Sequence, residues 1–399
     1  MHRNLQTTVG LLLLMAIGGP SSSRARGADR QDPIGVRNRR VIAADTIACQ
    51  RIPLGEKGDY KPSLVVLPSG ELLATMFHGY RRDGGKILEQ TLLFRSSDGG
   101  RTWSGPEKLD LLGREPYLTA LRDGTVLVTG HLLTQDERNQ HGYTHSYLHR
   151  SEDAGRNWTT VSVRPEQFRP RTTVLTTRNI LQLADGSLLF GVSEHAPKSQ
   201  NVFWRSTDGG RSWPEKYPAH FEQVPENYPW TILGEAHLWQ AMSGKIYAIL
   251  RVGANNSWPL TGTQDPGNND QSERMIIYSS VDRGRNWKKV RDLGKYGQMY
   301  PAMLRLGQGH LLLTFTQRAI GDPLGVRASL GRETRDGFSF DLKRDQILVD
   351  AKTPSGQRSG GGFGPTVRLA DGTLVTAYTY RDADDHTRGE VARWRLPTR

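Results

Sequence analysis

Cysteine is nearly absent from this chain: of 399 residues, only Cys49 carries a thiol. An internal disulfide framework and a cysteine-based zinc site are therefore excluded. No long stretch has the 3.6-residue apolar rhythm of an amphipathic helix, which argues against bundles and coiled coils. Long apolar runs are also missing, and the one candidate, Val9–Ile17, is too short for an ordinary membrane-spanning helix. The net charge is +12, yet Lys and Arg are scattered without long like-charge runs, so no nucleic-acid-binding arm is expected. No phosphate-binding glycine loop or dinucleotide fingerprint is present.

What the chain does contain is one motif written four times. Ser96-Ser97-Asp98-Gly99-Gly100-Arg101-Thr102-Trp103 recurs at Ser151–Trp158, Ser206–Trp213 and Ser280–Trp287, with the shared pattern S-x-D-x-G-x-x-W. A fifth, worn copy ends in Arg335-Asp336-Gly337-Phe338-Ser339-Phe340. Ser and Asp side chains satisfy backbone groups inside a tight turn, and Gly supplies backbone angles that other residues resist. The closing Trp is large and apolar and anchors the turn into a core. Each copy is read as a turn between two strands.

A second repeat interleaves with the first. Six apolar–turn–apolar segments turn at Ser69-Gly70, Asp123-Gly124, Asp185-Gly186, Ser243-Gly244, Gln308-Gly309 and Asp371-Gly372, at intervals of about 54 to 65 residues. Such segments are hairpin signals. Two hairpins per period give four strands per unit, and six units fit the chain. The expected fold is all-β, a six-bladed β-propeller of four-stranded blades. The last unit has no turn motif of its own, and an early strand around Val41–Cys49 is expected to complete it.

Residues 1–25 have the pattern of a secretory signal: basic His2 and Arg3, the apolar stretch, then a small-residue site near Ser23-Arg24-Ala25. The expected organisation is a signal at 1–25, a linker at 26–40 and the propeller at 41–399. Secretion or export to a periplasm is expected, without stable membrane insertion. A basic exported protein suits an acidic glycan as partner, and the same charge also suits solubility alone.

The repeated turns are the Asp boxes of the sialidase (neuraminidase) family, and residues 41–396 resemble that propeller throughout. Asp boxes lie at the periphery, so they speak for fold and not for activity. The resemblance implies a site in which arginines clamp a substrate carboxylate through bidentate hydrogen bonds. It also implies a Tyr nucleophile paired with a Glu, and an Asp acid/base. By register with the Ser69-Gly70 turn, Lys61 takes the place of the first arginine; Arg51-Ile52-Pro53 has the family's wording but lies too far upstream. Asp83, in Gly79-Tyr80-Arg81-Arg82-Asp83-Gly84-Gly85, matches the acid/base and is equally read as a plain turn residue. Glu235 and Arg251 match the family's Glu and second arginine on one hairpin. Arg327 is the first choice for the third arginine, with Arg318 as the other.

The departure is at the nucleophile. Counting back from Asp371-Gly372, the Tyr position falls on Phe363, which has no hydroxyl. Two routes remain: water acting directly with Glu235 or Asp83 as base, or Tyr380 as a substitute. Glu115, Arg178, His131 and His195 stand near strand ends and are read either as funnel lining or as loop polars. His141, His145 and His149 have a spacing that would suit a metal on a helix, but the segment reads as a strand, which separates them. Asn255-Asn256 and Asp265–Asp270 form a polar insertion read as a substrate loop. The expected function is an exo-acting glycoside hydrolase that releases terminal sialic acid or a related acidic sugar from sialoglycoconjugates, without metal or organic cofactor. Two other classes stay open: a non-catalytic propeller that binds acidic glycans, and a glycosidase or lyase acting on another uronic-type sugar.

Overall fold

A computed structural model of the protein describes residues 32–162, 174–195, 199–224, 232–252, 273–354 and 362–397. The signal segment and the polar insertion both lie outside these residues. Among the described residues the strands form six sheets. The first runs Tyr60–Val66, Leu72–Arg81, Ile87–Ser96 and Glu107–Leu109. The second runs Arg114–Ala120, Val126–Leu132, His145–Ser151 and Thr159–Ser162. The third begins with Val174–Thr176 and Leu181–Gln182, both paired to Leu188–His195, and continues through Ser199–Ser206 and Glu215–Pro218.

The fourth runs His237–Gln240, Ile246–Val252, Arg274–Ser280 and Asn286–Leu293, with His220–Phe221 parallel to its edge. The fifth runs Gln298–Gly307, His310–Gln317 and Gly325–Thr334, followed by Gly337–Phe340 and Gln346–Leu348. The sixth holds Thr366–Arg368, Leu374–Arg381 and Thr387–Trp394. All six glycine turns join the first strand of a sheet to its neighbour. The four intact Asp boxes each link a third strand to a fourth.

The sheets pack face to face in a closed circuit, and strand alternation is the cause. Successive side chains point to opposite faces, and both faces here are covered. Leu72, Ala74 and Met76 pack with Val375, Ala377 and Val391 of the sixth sheet. Leu73, between them in sequence, packs with Val126 and Val128 of the second. The same two-sided burial joins the second sheet to the third, the third to the fourth, the fourth to the fifth and the fifth to the sixth. The result is an all-β propeller.

The last sheet is completed by the N-terminal chain, but not by the expected segment. Cys49–Leu54 pairs antiparallel with Thr387–Trp394, whereas Thr46–Ile47 pairs with Ile34–Arg37. Ile34–Arg37 in turn extends the fifth sheet beside Gln346–Leu348. Residues 34–37 are thus part of the propeller and not of a linker, because Ile34 and Val36 bury their side chains in the interface of the fifth and sixth sheets.

The Asp boxes behave as their chemistry requires. Each Ser hydroxyl donates to the Asp Oδ1 two residues on, at 2.7–2.8 Å, and accepts the Gly N–H at 2.8–2.9 Å. The same Asp oxygen accepts further backbone N–H groups, as from Arg156 at 3.0 Å and Asn157 at 2.8 Å. These donors hold Asp153 and Asp208 below the usual carboxylate range. The motif's Gly must lie in the left-handed region, φ +83° at Gly210, where an added Cβ would press on Leu127 and Leu188 at 3.3 Å.

Candidate functional site

The first strand of every sheet starts at the same end of the ring, and one register position there has a common character. The residue nine before each turn glycine is Lys61, Glu115, Thr177, Glu235, Tyr300 or Phe363. Five of these six have left-handed backbones: φ is 53° at Lys61, 53° at Glu115, 65° at Glu235, 57° at Tyr300 and 78° at Phe363. Lys61, Glu115 and Tyr300 each precede a proline, and each lies at a register shift in its strand. A bulge of this kind re-aims a side chain, and non-glycine left-handed residues concentrate where surrounding structure holds them for a purpose.

These side chains and their neighbours form one polar cluster. Glu235 accepts from both Arg178 Nη2 and Arg251 Nη1 through close ion pairs. Arg251 Nε also pairs with Glu273. Arg251 Nη1 donates to the Tyr300 hydroxyl at 2.6 Å, and Arg318 Nη1 donates to the same oxygen at 2.7 Å. Glu115 pairs closely with Lys61, and lies 3.1 Å from Arg178 Nη2 and 3.6 Å from Arg114 Nε. Phe363 closes the group, its ring 4.1 Å from that of Tyr300 and 5.0 Å from Lys61 Nζ.

Burial sets the electrostatics. It pushes the Glu235 carboxyl up, but Arg251 and Arg178 outweigh it and hold the group below its usual range. Glu115 is likewise held well below that range, because Lys61, Arg178 and Arg114 overcome its desolvation. Desolvation pulls the Lys61 ammonium down to about 7 against the pull of Glu115 and Glu235. It also lowers His131 to about 4, so that ring is neutral at physiological pH. Tyr300 is pushed well above 10 by desolvation, although Arg251 and Arg318 oppose this. Its phenol is therefore protonated at rest, and with two guanidiniums donating to the oxygen, its own proton is left to donate.

The structure brings Lys61, Glu235, Arg251 and Arg318 together, with Glu115 and Arg178. Three expected residues stand apart. Asp83 begins the exposed turn Asp83–Gly85 on a hairpin at the same end of the first sheet as Lys61; this hairpin leans on the second sheet through Arg82 and Glu137, 3.3 Å apart. Arg327 donates to the Pro323 carbonyl at 2.7 Å and to Gln346 at 3.4 Å, in a groove also lined by Arg37 and Lys343. Tyr380 lies under Lys352, whose Nζ is 4.7 Å from its ring. Strand alternation puts Tyr378 and Tyr380 on one face of their strand, against the apolar interface of the fifth and sixth sheets. Arg51 belongs to the closing strand, where its Nη1 donates to the Tyr378 hydroxyl at 2.5 Å.

His149 makes hydrogen bonds with Thr160 Oγ1 at 2.8 Å and the Leu112 carbonyl at 2.7 Å, within the strand His145–Ser151. Both ring nitrogens are therefore occupied. The side chain of His195 lies outside the described residues. The residue that sequence reasoning missed is Tyr300. Extending the nine-residue register from Lys61 and Phe363 to the fifth hairpin would have found it.

Residues 54–313 match the family described as BNR repeat-like domain, and the chain belongs to that family. No curated protein matches it. Among solved structures it is similar to a Dyadobacter fermentans protein of unknown function, with 18% identity and a TM-score of 0.64, over 91% of this chain and 100% of that one. The NanB sialidase of Streptococcus pneumoniae is similar at 12% identity and a TM-score of 0.60, over 86% of this chain and 70% of that one. The intramolecular trans-sialidase of Ruminococcus gnavus is similar at 14% identity and a TM-score of 0.58, over 86% and 96%. The recognised class is the sialidase-type propeller, and at these identities the structural likeness speaks for fold. No described helix is long and apolar enough to cross a membrane.

Proposed function

We propose that this protein is an exported, exo-acting glycoside hydrolase of sialidase type, which releases a terminal acidic sugar, sialic acid or a relative of it, from glycans. Each of the six sheets is read as one blade around a funnel that receives the sugar. The observation that carries the reading is the bridge at Arg251: one guanidinium nitrogen joins the Glu235 carboxylate to the Tyr300 phenol, and Arg318 donates to the same phenol oxygen. A phenol beside a carboxylate is the pair that retaining chemistry on an acidic sugar uses, since a neutral nucleophile is not repelled by the substrate carboxylate.

In this reading Tyr300 attacks the anomeric carbon as the bond to the leaving oxygen breaks; Glu235, which regains basicity as Arg251 turns from it to the substrate, takes the phenol proton, and water then releases the sugar from Tyr300. Arg251 and Arg318 take the carboxylate, and two charge-assisted donors from different strands fix its orientation. Asp83, on its exposed turn at the same end of the ring, is the acid that protonates the leaving oxygen. Export rests on the composition of residues 1–25 and is tested by locating the protein in cell fractions.

The test is release of sialic acid from a fluorogenic sialoside by the purified protein, beside Tyr300→Phe, Glu235→Ala and Asp83→Ala. Turnover that is lost in all three supports the assignment. No turnover by the wild type sinks the hydrolase reading, and binding of intact sialosides without turnover would favour a glycan-binding propeller instead.

A further inference from the structure

Arg327 stands apart from the polar cluster, yet it is a buried guanidinium that pairs with no carboxylate among the described residues. It is 6% exposed. Its Nη2 donates to the Pro323 carbonyl at 2.7 Å and its Nη1 to Gln346 Oε1 at 3.4 Å, so both partners are neutral. Its Nε is buried without a hydrogen-bond partner. Desolvation, and then repulsion from Arg37, hold the guanidinium down to about 10, against the smaller pull of Asp322. A buried charge without a counter-ion is costly, and such groups concentrate at functional sites.

The surroundings share this imbalance. Arg327 lines a groove of about 1080 Å³ between the fourth and fifth sheets, beside Leu293, Phe340 and Leu342 of their interface. Five further cations line it, against three acids. Of the five, Arg274 pairs with Asp292 at 2.9 Å, and Asp292 is also shared with Lys289 at 3.0 Å. Arg37, Arg291, Lys295 and Lys343 are exposed and form no ion pair among the described residues. Arg37 Nη1 donates to the Asp322 carbonyl at 2.9 Å, next in the chain to the carbonyl that Arg327 uses. Two guanidiniums are thereby held near each other by neutral oxygens. Half-buried Tyr296 and the exposed Ile320 add apolar surface, and apolar walls with a few convergent polar groups are the usual make-up of a ligand site.

The groove is separate from the funnel. Glu273 pairs with Arg251, whereas Arg274 beside it lines the groove. Arg318 reaches the Tyr300 hydroxyl, whereas Gln317 beside it lines the groove.

We propose that this groove is a second glycan site, which takes an acidic substituent of an oligosaccharide, a carboxylate or a sulfate, between Arg327 at its base and Arg37 and Lys343 at its rim. The planar fork of a guanidinium suits either oxyanion, and Tyr296 and Ile320 meet the sugar ring. The inference rests on the charge and shape of the groove and not on turnover in the funnel.

The experiment is calorimetric titration of the full chain with tetragalacturonate and with a heparin tetrasaccharide, with maltotetraose as neutral control. It is run in 0.1 M salt, which screens charges more than about 10 Å apart. Wild type should bind one or both acidic probes and not the neutral one; the acidic probe that binds more tightly identifies the substituent. Arg327→Met should weaken that binding roughly tenfold, the equivalent of one charge-assisted hydrogen bond.

Should Arg327→Met fail to fold, the exposed pair Arg37→Gln with Lys343→Gln tests the same groove, with a loss of about threefold. Arg156→Gln removes an exposed charge from an Asp box of the second sheet and should change affinity by less than about twofold. Wild type that binds neither acidic probe overturns the proposal, as do groove variants that bind as wild type does. An equal loss from Arg156→Gln overturns it too, by reducing the effect to net charge. Loss of groove binding with sialoside turnover intact would support this site whatever the chemistry of the funnel, and groove binding in a protein without turnover would leave it standing while removing the hydrolase reading.

Discussion

Arg178→Met is the substitution that most directly tests whether the funnel is an interlocked charge network. Arg178 is 7% exposed and is shared by two carboxylates, Glu115 and Glu235. Met fills most of the volume, so the loss is chiefly electrostatic. Removing one member of a buried ionic group and leaving the others unpaired destabilises by about 3–5 kcal/mol. Lys61 and Arg251 remain to hold the two carboxylates, so the middle of that range, ~4 kcal/mol, is the expected loss. With an unfolding entropy of about 2.1 cal/mol/K per residue, a chain of 399 residues has roughly 0.8 kcal/mol/K in all, and the melting temperature should fall by ~5 °C at pH 7.

The pH dependence supplies the sharper check. Both carboxyls have folded values depressed below their unfolded ones. Their pairing therefore contributes stability that is complete above the unfolded value, about 4.3, and is lost as pH falls through the folded values. Arg178→Met has already forfeited much of this contribution, so the gap between wild type and variant should narrow as pH drops below about 4. Differential scanning calorimetry from pH 7 to pH 3 reads both. A gap under ~1 °C at neutral pH, or one that does not change with pH, would refute the network as drawn.

Further outcomes can be checked alongside. Tyr300→Phe should reduce kcat by about a hundredfold or more with little change in melting temperature, while Tyr380→Phe stays within about twofold of wild type; equal losses in the two would remove Tyr300 from the chemistry. Asp153→Asn should lower the melting temperature at pH 7 and leave turnover unchanged. Because the folded carboxyl is depressed by its backbone and side-chain donors, its contribution is present above the unfolded value and is lost on acidification, so the wild-type and variant curves should converge at low pH. Arg51→Met should loosen the closing strand, since Arg51 reaches both the Tyr378 hydroxyl and, at 3.7 Å, Glu390 across the seam. Limited proteolysis should then remove residues before Tyr60 faster than in wild type, and an unchanged cleavage rate would show that apolar packing alone holds the ring shut.

The periphery of this fold was legible because each of its signals is local. An Asp box writes its turn, its caps and its anchoring Trp within eight consecutive residues, and a glycine turn between apolar strands needs no distant partner to be recognised. The polar cluster is different, because strands and loops far apart in sequence each contribute only one or two residues to it. Glu235 and Arg251 were found since one hairpin carries both. Lys61 and Phe363 were found by counting from a turn. Tyr300 was passed over because a Tyr before a proline in an apolar strand reads as core, and nothing local says that its backbone is left-handed and its hydroxyl faces two arginines. Tyr380 was chosen on proximity in sequence to the vacant Tyr position, but strand periodicity turns it to the opposite face from Thr379. Arg327 was favoured over Arg318 by its place on a strand, yet its guanidinium donates to the Pro323 carbonyl and is turned to its own loop.

The closing strand erred by a few residues for a related reason. The stretch before Cys49 has strand-like composition, but Ile34–Arg37 and Thr46–Ile47 pair with each other and with the fifth sheet. That leaves Cys49–Leu54 to reach the sixth. A register position repeated around a ring is therefore a stronger guide to a propeller's centre than any one motif. It picks out Lys61, Glu115, Glu235, Tyr300 and Phe363, the five left-handed positions of the cluster, before any chemistry is assigned to them.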